Sequence, residues 1–469
     1  MSQVIQIEQL VDEQKIGWFN IWLLVWSFLT MFTDGYDIQA LSYAAPELVR
    51  HWGIDRSSLG PVFSASNVGI LLGAPLMGWL GDRYGRKVAI VTGCIIYGLS
   101  SLAMMAAHDL TQMFVLRAIT GIGLGGLMPN TIALNSELAP KRWRATLVVL
   151  MFTGITLGSG MPGPAAAWLV PQHGWPVLFL IGGIVPLLVA VGVAFALPES
   201  VKFLAKFPAR RAELLKLARR MRPDLSIAED ARFAMVTLAT AGGIRRSDAD
   251  PRALFAGGLG FITPLLWVCF CTVLMSNYFL NNWMPLLFED SGLSVSQAAL
   301  NTTLYHVGGT VGGLLIAVML DRFGFVAIAA LCGISIPFIA AIGQPGISPG
   351  MLEVASLVAG FGVLGAQFGN NASAGLIYPT SVRSTGVGWA FGIGRFGSIM
   401  GPIAGGILIA HHLPIDALFR AGAAPMLACV IASLVLTRLC YTRYGGLRLD
   451  DTPVTAAGAT DGATRTAQV

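Results

Sequence analysis

The chain is short of charge. Only 12% of its 469 residues are Asp, Glu, Lys or Arg, 55% are hydrophobic, and the mean hydropathy is +0.69. A soluble domain carries about 25% charged residues. So few charges cannot wet a globular surface, and lipid must be the main solvent. Cysteine is also sparse and unpatterned. Cys94, Cys269, Cys271, Cys332, Cys429 and Cys440 lie within or at the ends of apolar runs, with no His cluster beside them. They read as small packing residues, and neither a disulfide framework nor a metal site is implied. No HExxH, CxxC or phosphate-binding loop is present, and Gly121 to Gly126 follow no strand. No cofactor is expected, and the chain does not read as an enzyme. The stretch Met1 to Lys15 has neither the basic start nor the small-residue cleavage site of a secretory leader. The net charge of +5 is no sign of a nucleic-acid partner, because in such a chain the position of basic residues matters more than their sum.

Long apolar runs are what the chain has in abundance. Crossing about 30 Å of hydrocarbon takes about 20 residues. Runs of that kind fall at 18–45, 58–81, 88–107, 111–135, 145–169 and 175–197, then at 260–288, 298–320, 325–343, 350–378, 385–410 and 416–440. The expectation is an all-α membrane protein of twelve transmembrane helices in two six-helix bundles. The expected segments are an N-terminus at 1–17, bundles at 18–198 and 259–441, a linker at 199–258 with a helix near Ala209 to Met221, and a disordered tail at 442–469. Short loops rich in Lys and Arg face the cytoplasm. Arg83, Arg86 and Lys87 follow the second run, and Lys141, Arg142 and Arg144 follow the fourth. Both termini and the basic linker are therefore expected on the cytoplasmic side of the inner membrane.

The two halves repeat. Gly81-Asp82-Arg83-Tyr84-Gly85 matches Leu320-Asp321-Arg322-Phe323-Gly324, and Pro140 with Arg144 matches Pro379 with Arg383. Both matches have one offset, 321 − 82 = 239 and 383 − 144 = 239. Parallel six-span repeats related by an axis along the membrane normal are one architecture of secondary transporters.

The loop Gly78-Trp-Leu-Gly-Asp82-Arg83-Tyr-Gly85-Arg86-Lys87 resembles the signature of the major facilitator superfamily. Asp34-Gly-Tyr-Asp37, Arg117 and the run from Arg383 through Trp389 to Arg395 resemble the aromatic acid:proton symporter family within it. The resemblance implies a monomeric, proton-coupled importer of a small aromatic carboxylate such as 4-hydroxybenzoate, protocatechuate or benzoate, working by alternating access. The alternative is another organic anion, such as muconate or an aliphatic dicarboxylate.

An ionisable group at mid-membrane costs about 2.5–3.5 kcal/mol on insertion scales, so each one calls for a reason. Asp34 and Asp37 share one helix face and are the candidate proton carriers, with Gly35 between them. Arg117 offers a planar fork either to a substrate carboxylate or to one of these aspartates. Arg395, among Gly392, Gly394 and Gly397, stands for the second half. Asn277 and Asn281, one turn apart, with Gln367, Asn370 and His306, are candidate hydrogen-bonding contacts for a substrate. Asn370 could equally be helix–helix glue, and a lone His is more often a packed one. Tyr36, Phe63, Phe152 and Trp389 are candidate aromatic walls. At the cytoplasmic edge, Asp82, Arg83, Arg86, Glu137 and Arg144 are expected to form a gate cluster. Asp321 and Arg383 would form a weaker counterpart, because Leu376 replaces Glu137 in the repeat.

Overall fold

The computed structural model describes residues 4–225, 227–229, 231–234, 251–256, 259–378 and 382–444, apart from a few side chains that include those of Asp321 and Leu376. The last helix continues to Tyr444, past the expected start of the tail at 442; residues 445–469 of the expected tail 442–469 and most of the second half of the linker lie outside the described residues. The chain divides into two compact units, Met1–Gly243 and Ile244–Val469.

The first unit opens with strand β1 (Val4–Gln6) and helix α1 (Ile7–Asp12). Its long helices are α2 (Trp18–Trp52), α3 (Leu59–Tyr84), α4 (Arg86–Met104), α5 (Leu110–Leu124), α6 (Leu127–Leu138), α7 (Lys141–Gly160), α8 (Pro162–His173) and α9 (Pro176–Ala196). Helices α10 (Val201–Ala205) and α11 (Arg211–Met221) and strand β2 (Arg232–Ala234) follow. The second unit contains α12 (Ile262–Asp290), α13 (Val295–Phe323), α14 (Phe325–Ile342), α15 (Pro349–Ile377), α16 (Arg383–Ala410) and α17 (Ile415–Tyr444).

Two expected spans are each divided into two helical segments. Gly125-Gly126 separates α5 from α6, and Pro162, which has no N–H to donate, starts α8 after Met161. Among the described residues, eleven helical segments are long and apolar enough to cross a membrane. The twelfth long helix, α2, is not among the eleven because polar residues dilute it, including buried Asn20, Ser27, Thr30, Asp34, Asp37 and Gln39. The linker helix expected near Ala209 to Met221 is α11, which buries Leu214, Leu217, Ala218 and Met221. One feature departs from an all-helical chain: β1 pairs in parallel with β2.

The two units repeat the same helix pairings. In the first, α2 packs on α7, α3 on α5 and α4 on α9; in the second, α12 packs on α16, α13 on α15 and α14 on α17. Glycines set these contacts atom by atom. A Cβ on Gly158 would overlap the carbonyl oxygen of Phe32, and one on Gly397 would overlap that of Cys271. The same holds for Gly69 with Ala118 and Gly308 with Leu357, and for Gly121 with Ser66 and Gly360 with Tyr305. Every one of these matches falls at the offset of 239 seen in the loops, as in 397 − 158 and 271 − 32. Small residues let helix backbones approach closely, which is how helices associate in lipid.

Gly392 stands one turn before the tight contacts of α16 and faces open space. Overpacking costs about 1–3 kcal/mol. Gly397→Val should therefore lower the thermal midpoint of the purified protein by several degrees, while Gly392→Val should leave it near wild type. Differential scanning fluorimetry in detergent checks the pair.

Candidate functional site

In the first unit the charged centre lies on α2 and α5. Both aspartates are buried, Asp34 at 9% and Asp37 at 2% exposure, and Arg117 is 3% exposed. Nη1 of Arg117 donates to both carboxylate oxygens of Asp37, at 2.8 and 2.9 Å. One nitrogen thus serves the whole carboxylate. The guanidinium keeps its Nε buried and without a partner among the described residues.

The backbone around the two aspartates is held from three sides. Tyr97 on α4 donates its hydroxyl to the carbonyl of Thr33 at 3.0 Å. Ser159 on α7 donates to the carbonyl of Gly35 at 3.1 Å. Tyr36 points the other way and donates to the carbonyl of Leu178 on α9 at 3.1 Å. Gly35 is required here, because a Cβ would overlap the backbone of Ile155 on α7. Phe63 is buried, and Phe152 packs half-buried against the core that includes Leu23, Met31 and Met151.

The second unit holds a neutral network. Asn281 donates to Oδ1 of Asn277 at 2.8 Å, Asn277 donates to Oε1 of Gln367 at 2.7 Å, and Tyr305 donates its hydroxyl to Oδ1 of Asn277 at 2.9 Å. Asn370 donates to the carbonyl of Cys269 at 3.1 Å, which ties α15 to α12, and its Oδ1 is buried without a partner among the described residues. His306 is 5% exposed, sits edge-on to the Tyr305 ring, and has its Nε2 buried without a partner among the described residues. Arg395 is half-buried on α16, with no carboxylate in ion-pair distance among the described residues. Trp389 is 42% exposed and stacks on Trp267 at 5.8 Å near the starts of α16 and α12.

The residues of the expected gate are distributed differently from a single cluster. Asp82 pairs with Arg86 at 2.6 Å, and Arg86 also donates to Asn130 at 3.3 Å. The guanidinium of Arg83 lies over the rings of Trp79 and Tyr84. Glu137 accepts a hydrogen bond from the Ser200 hydroxyl. Arg144 donates to the carbonyl of Ala139 at 3.4 Å and reaches Asp12 at 3.8 Å. Arg383 donates to the carbonyl of Tyr378 at 3.2 Å, and the side chain of Asp321 lies outside the described residues.

The carboxylate that holds the Gly85 turn is Glu199, which sequence reasoning missed. Its Oε1 accepts from the backbone N–H of Lys87 at 3.3 Å and of Ser200 at 2.8 Å. Gly85 has φ +114°, and a Cβ there would collide with the Glu199 carboxylate. Burial pushes the Glu199 carboxyl up, against the pull of these N–H donors. A signal was present: Glu199 is the first acidic residue after Glu137. Tyr305, Tyr97 and Ser159 were also missed, being hydroxyls inside apolar helices without charge to mark them.

The sequence profile of the Major Facilitator Superfamily matches residues 27–264 and 266–454. The chain belongs to the aromatic acid transporter family of this superfamily. A gallate transporter of Pseudomonas putida is 36% identical over 97% of this chain and 98% of its own. The 4-hydroxybenzoate transporter PcaK of Acinetobacter baylyi is 33% identical over 93% and 95%. The fold is also that of a solved D-xylose-proton symporter, with a TM-score of 0.67 and 16% identity over 90% of this chain and 98% of that one.

Glu199→Gln retains the acceptor but loses the charge. In the transporter it should slow substrate uptake severalfold with little change in equilibrium binding, and Asp82→Asn should do the same. Uptake in proteoliposomes set beside isothermal titration checks this. Binding that falls in step with uptake would overturn the expected gate role of Asp82 and deny one to Glu199.

Proposed function

We propose that this transporter imports a small aromatic carboxylate, of the gallate and hydroxybenzoate kind, together with protons across the inner membrane. Its relatives named for gallate, 4-hydroxybenzoate and benzoate support the substrate class. The observation that carries the reading is the half-used guanidinium of Arg117, which gives Asp37 one nitrogen and keeps a buried Nε unpaired. Desolvating a substrate carboxylate is costly unless a fixed cation with hydrogen-bond donors replaces the water. Arg117 supplies that cation, and Arg395 supplies a second one free of carboxylate neighbours among the described residues.

Coupling then follows from charge balance. A substrate carboxylate that competes for Arg117 displaces Asp37. A buried carboxylate without its counter-charge is tolerated only as the neutral acid, so Asp37 takes up a proton as substrate binds. Release on the other side reverses both steps and restores the internal pair. Asp34, on the same helix face, is placed to pass the proton. Tyr36, Asn277, Asn281, Gln367, Asn370, His306 and Trp389 are the proposed neutral and aromatic contacts. Asp82, Arg83, Arg86, Glu137, Arg144, Asp321 and Arg383 are assigned to the cytoplasmic gate. In this orientation both termini are cytoplasmic and the protein acts as a monomer.

Lys keeps the charge of Arg but not the planar fork. Arg117→Lys or Arg395→Lys should therefore erase much of the preference for a hydroxybenzoate over its amide at whichever site is bidentate. Binding of acid and amide to wild type and both variants measures it. An unchanged acid-over-amide ratio in both variants would mean that neither arginine reads the carboxylate.

Proton coupling has its own test. A protonophore should abolish accumulation of labelled hydroxybenzoate in proteoliposomes. Accumulation that survives collapse of the proton gradient and follows sodium would overturn the coupling.

A further inference from the structure

The chain ahead of the first long helix is built into the fold. Strand β1 pairs with β2 in the register Val4↔Arg232, Ile5↔Phe233 and Gln6↔Ala234. Ile7 and Val11 of α1 enter the core that contains Leu134 and Leu138 of α6 and Leu214, Leu217 and Met221 of α11. Leu10 packs with Ala218, Ile227 and Ala231. Glu13 pairs with Arg222 at 3.1 Å.

Two side chains of this segment close the turn between α6 and α7. Gln14 is 1% exposed, and its Nε2 donates to the carbonyl of Leu138, the last residue of α6, at 2.7 Å. Asp12 Oδ1 accepts from the N–H of Lys141, the first residue of α7, at 3.0 Å. Pro140, which precedes α7, offers no side-chain cap. Helix ends leave backbone groups without partners. Here both are satisfied by residues more than 120 positions away in sequence.

We propose that residues 4–14 form a strap that binds the linker strand and caps the α6–α7 turn, that this strap stays shut throughout the transport cycle, and that Asp12 and Gln14 are positioning residues for transport. The mechanical reason lies in α7. That helix packs on α2 through Gly35 and Gly158, so a shift at its start is carried to the helix bearing Asp34 and Asp37. The transport reading supplies only the readout; the strap itself is tested by chemistry.

Paired positions in adjacent strands lie within reach of a disulfide. The full-length variant Ile5→Cys/Phe233→Cys, reconstituted in proteoliposomes and oxidised with copper phenanthroline, should cross-link, as read by tryptic mass mapping. Its uptake rate should stay within about twofold of the reduced form. Failure to cross-link would overturn the strand pairing. Uptake that stops on oxidation and returns with reductant would show that the strap must open. Gln14→Leu fills similar space but cannot donate, which leaves a buried carbonyl unsatisfied. It should cut the maximal uptake rate about tenfold, with the half-saturating concentration within twofold. Asp12→Ala should act alike, and Asp12→Asn, which still accepts, should restore the rate. Wild-type rates in Gln14→Leu and Asp12→Ala, or a half-saturating concentration that rises as the rate falls, would remove the positioning role.

Discussion

A buried ion pair joins α5 to α2 in the first unit. Asp37 and Arg117 are each nearly inaccessible, and neither charge would be stable in hydrocarbon alone. Their geometry is set by backbone packing rather than by the side chains. Ala118, next to Arg117, presents its carbonyl to Gly69 of α3, and Gly121, one turn on, sits against Ser66. Gly35, two residues before Asp37, lies against Ile155 of α7. These three glycines fix α5 against α3 and α2 against α7, and between the two helices so held a single guanidinium nitrogen of Arg117 reaches both carboxylate oxygens of Asp37. The extra hydrogen bonds from Tyr97 and Ser159 to the carbonyls of Thr33 and Gly35 hold the α2 backbone at the same level.

The repeat preserves this scaffold and discards its charges. At the offset of 239, Asp37 corresponds to Ser276 and Arg117 to Ser356. Ser276 donates to the carbonyl of Gly422 at 2.7 Å, and among the described residues no ion pair stands at this place in the second unit. Arg395 does not compensate by position, because its counterpart in the first unit is Thr156 on α7. In place of an ion pair the second unit has amides and a phenol joined in series through Asn277.

The glycine contacts explain why so much of the architecture was legible. The offset found in two short loops recurs in helix contacts throughout both units, since duplicated backbones need the same small residues at the same crossings. The choice of partners was less legible. Spacing puts Asp34 and Asp37 on one face but does not say which of them meets Arg117, because that depends on how α5 is rotated against α2. Glu199 was overlooked for a similar reason: nothing in linear order links it to a turn more than a hundred residues earlier. The N-terminal strap left no trace, because a three-residue strand and a six-residue helix are too short to show a period.

Glu199 and Asp12 answer one electrostatic problem. Orientation in the membrane favours basic residues in the loops on one side. Basic residues open two helices here, Arg86-Lys87 on α4 and Lys141-Arg142 on α7. A helix N-terminus already carries a partial positive charge, so cations there are placed against the dipole. Neither helix has an acidic residue in its own first turn or a side-chain cap of its own. The carboxylates are brought from elsewhere: Glu199 accepts from Lys87 N–H, and Asp12 accepts from Lys141 N–H. The segments that supply the acids, one after α9 and one before α2, are thereby fixed to the bundle at the backbone N–H groups of Lys87 and Lys141.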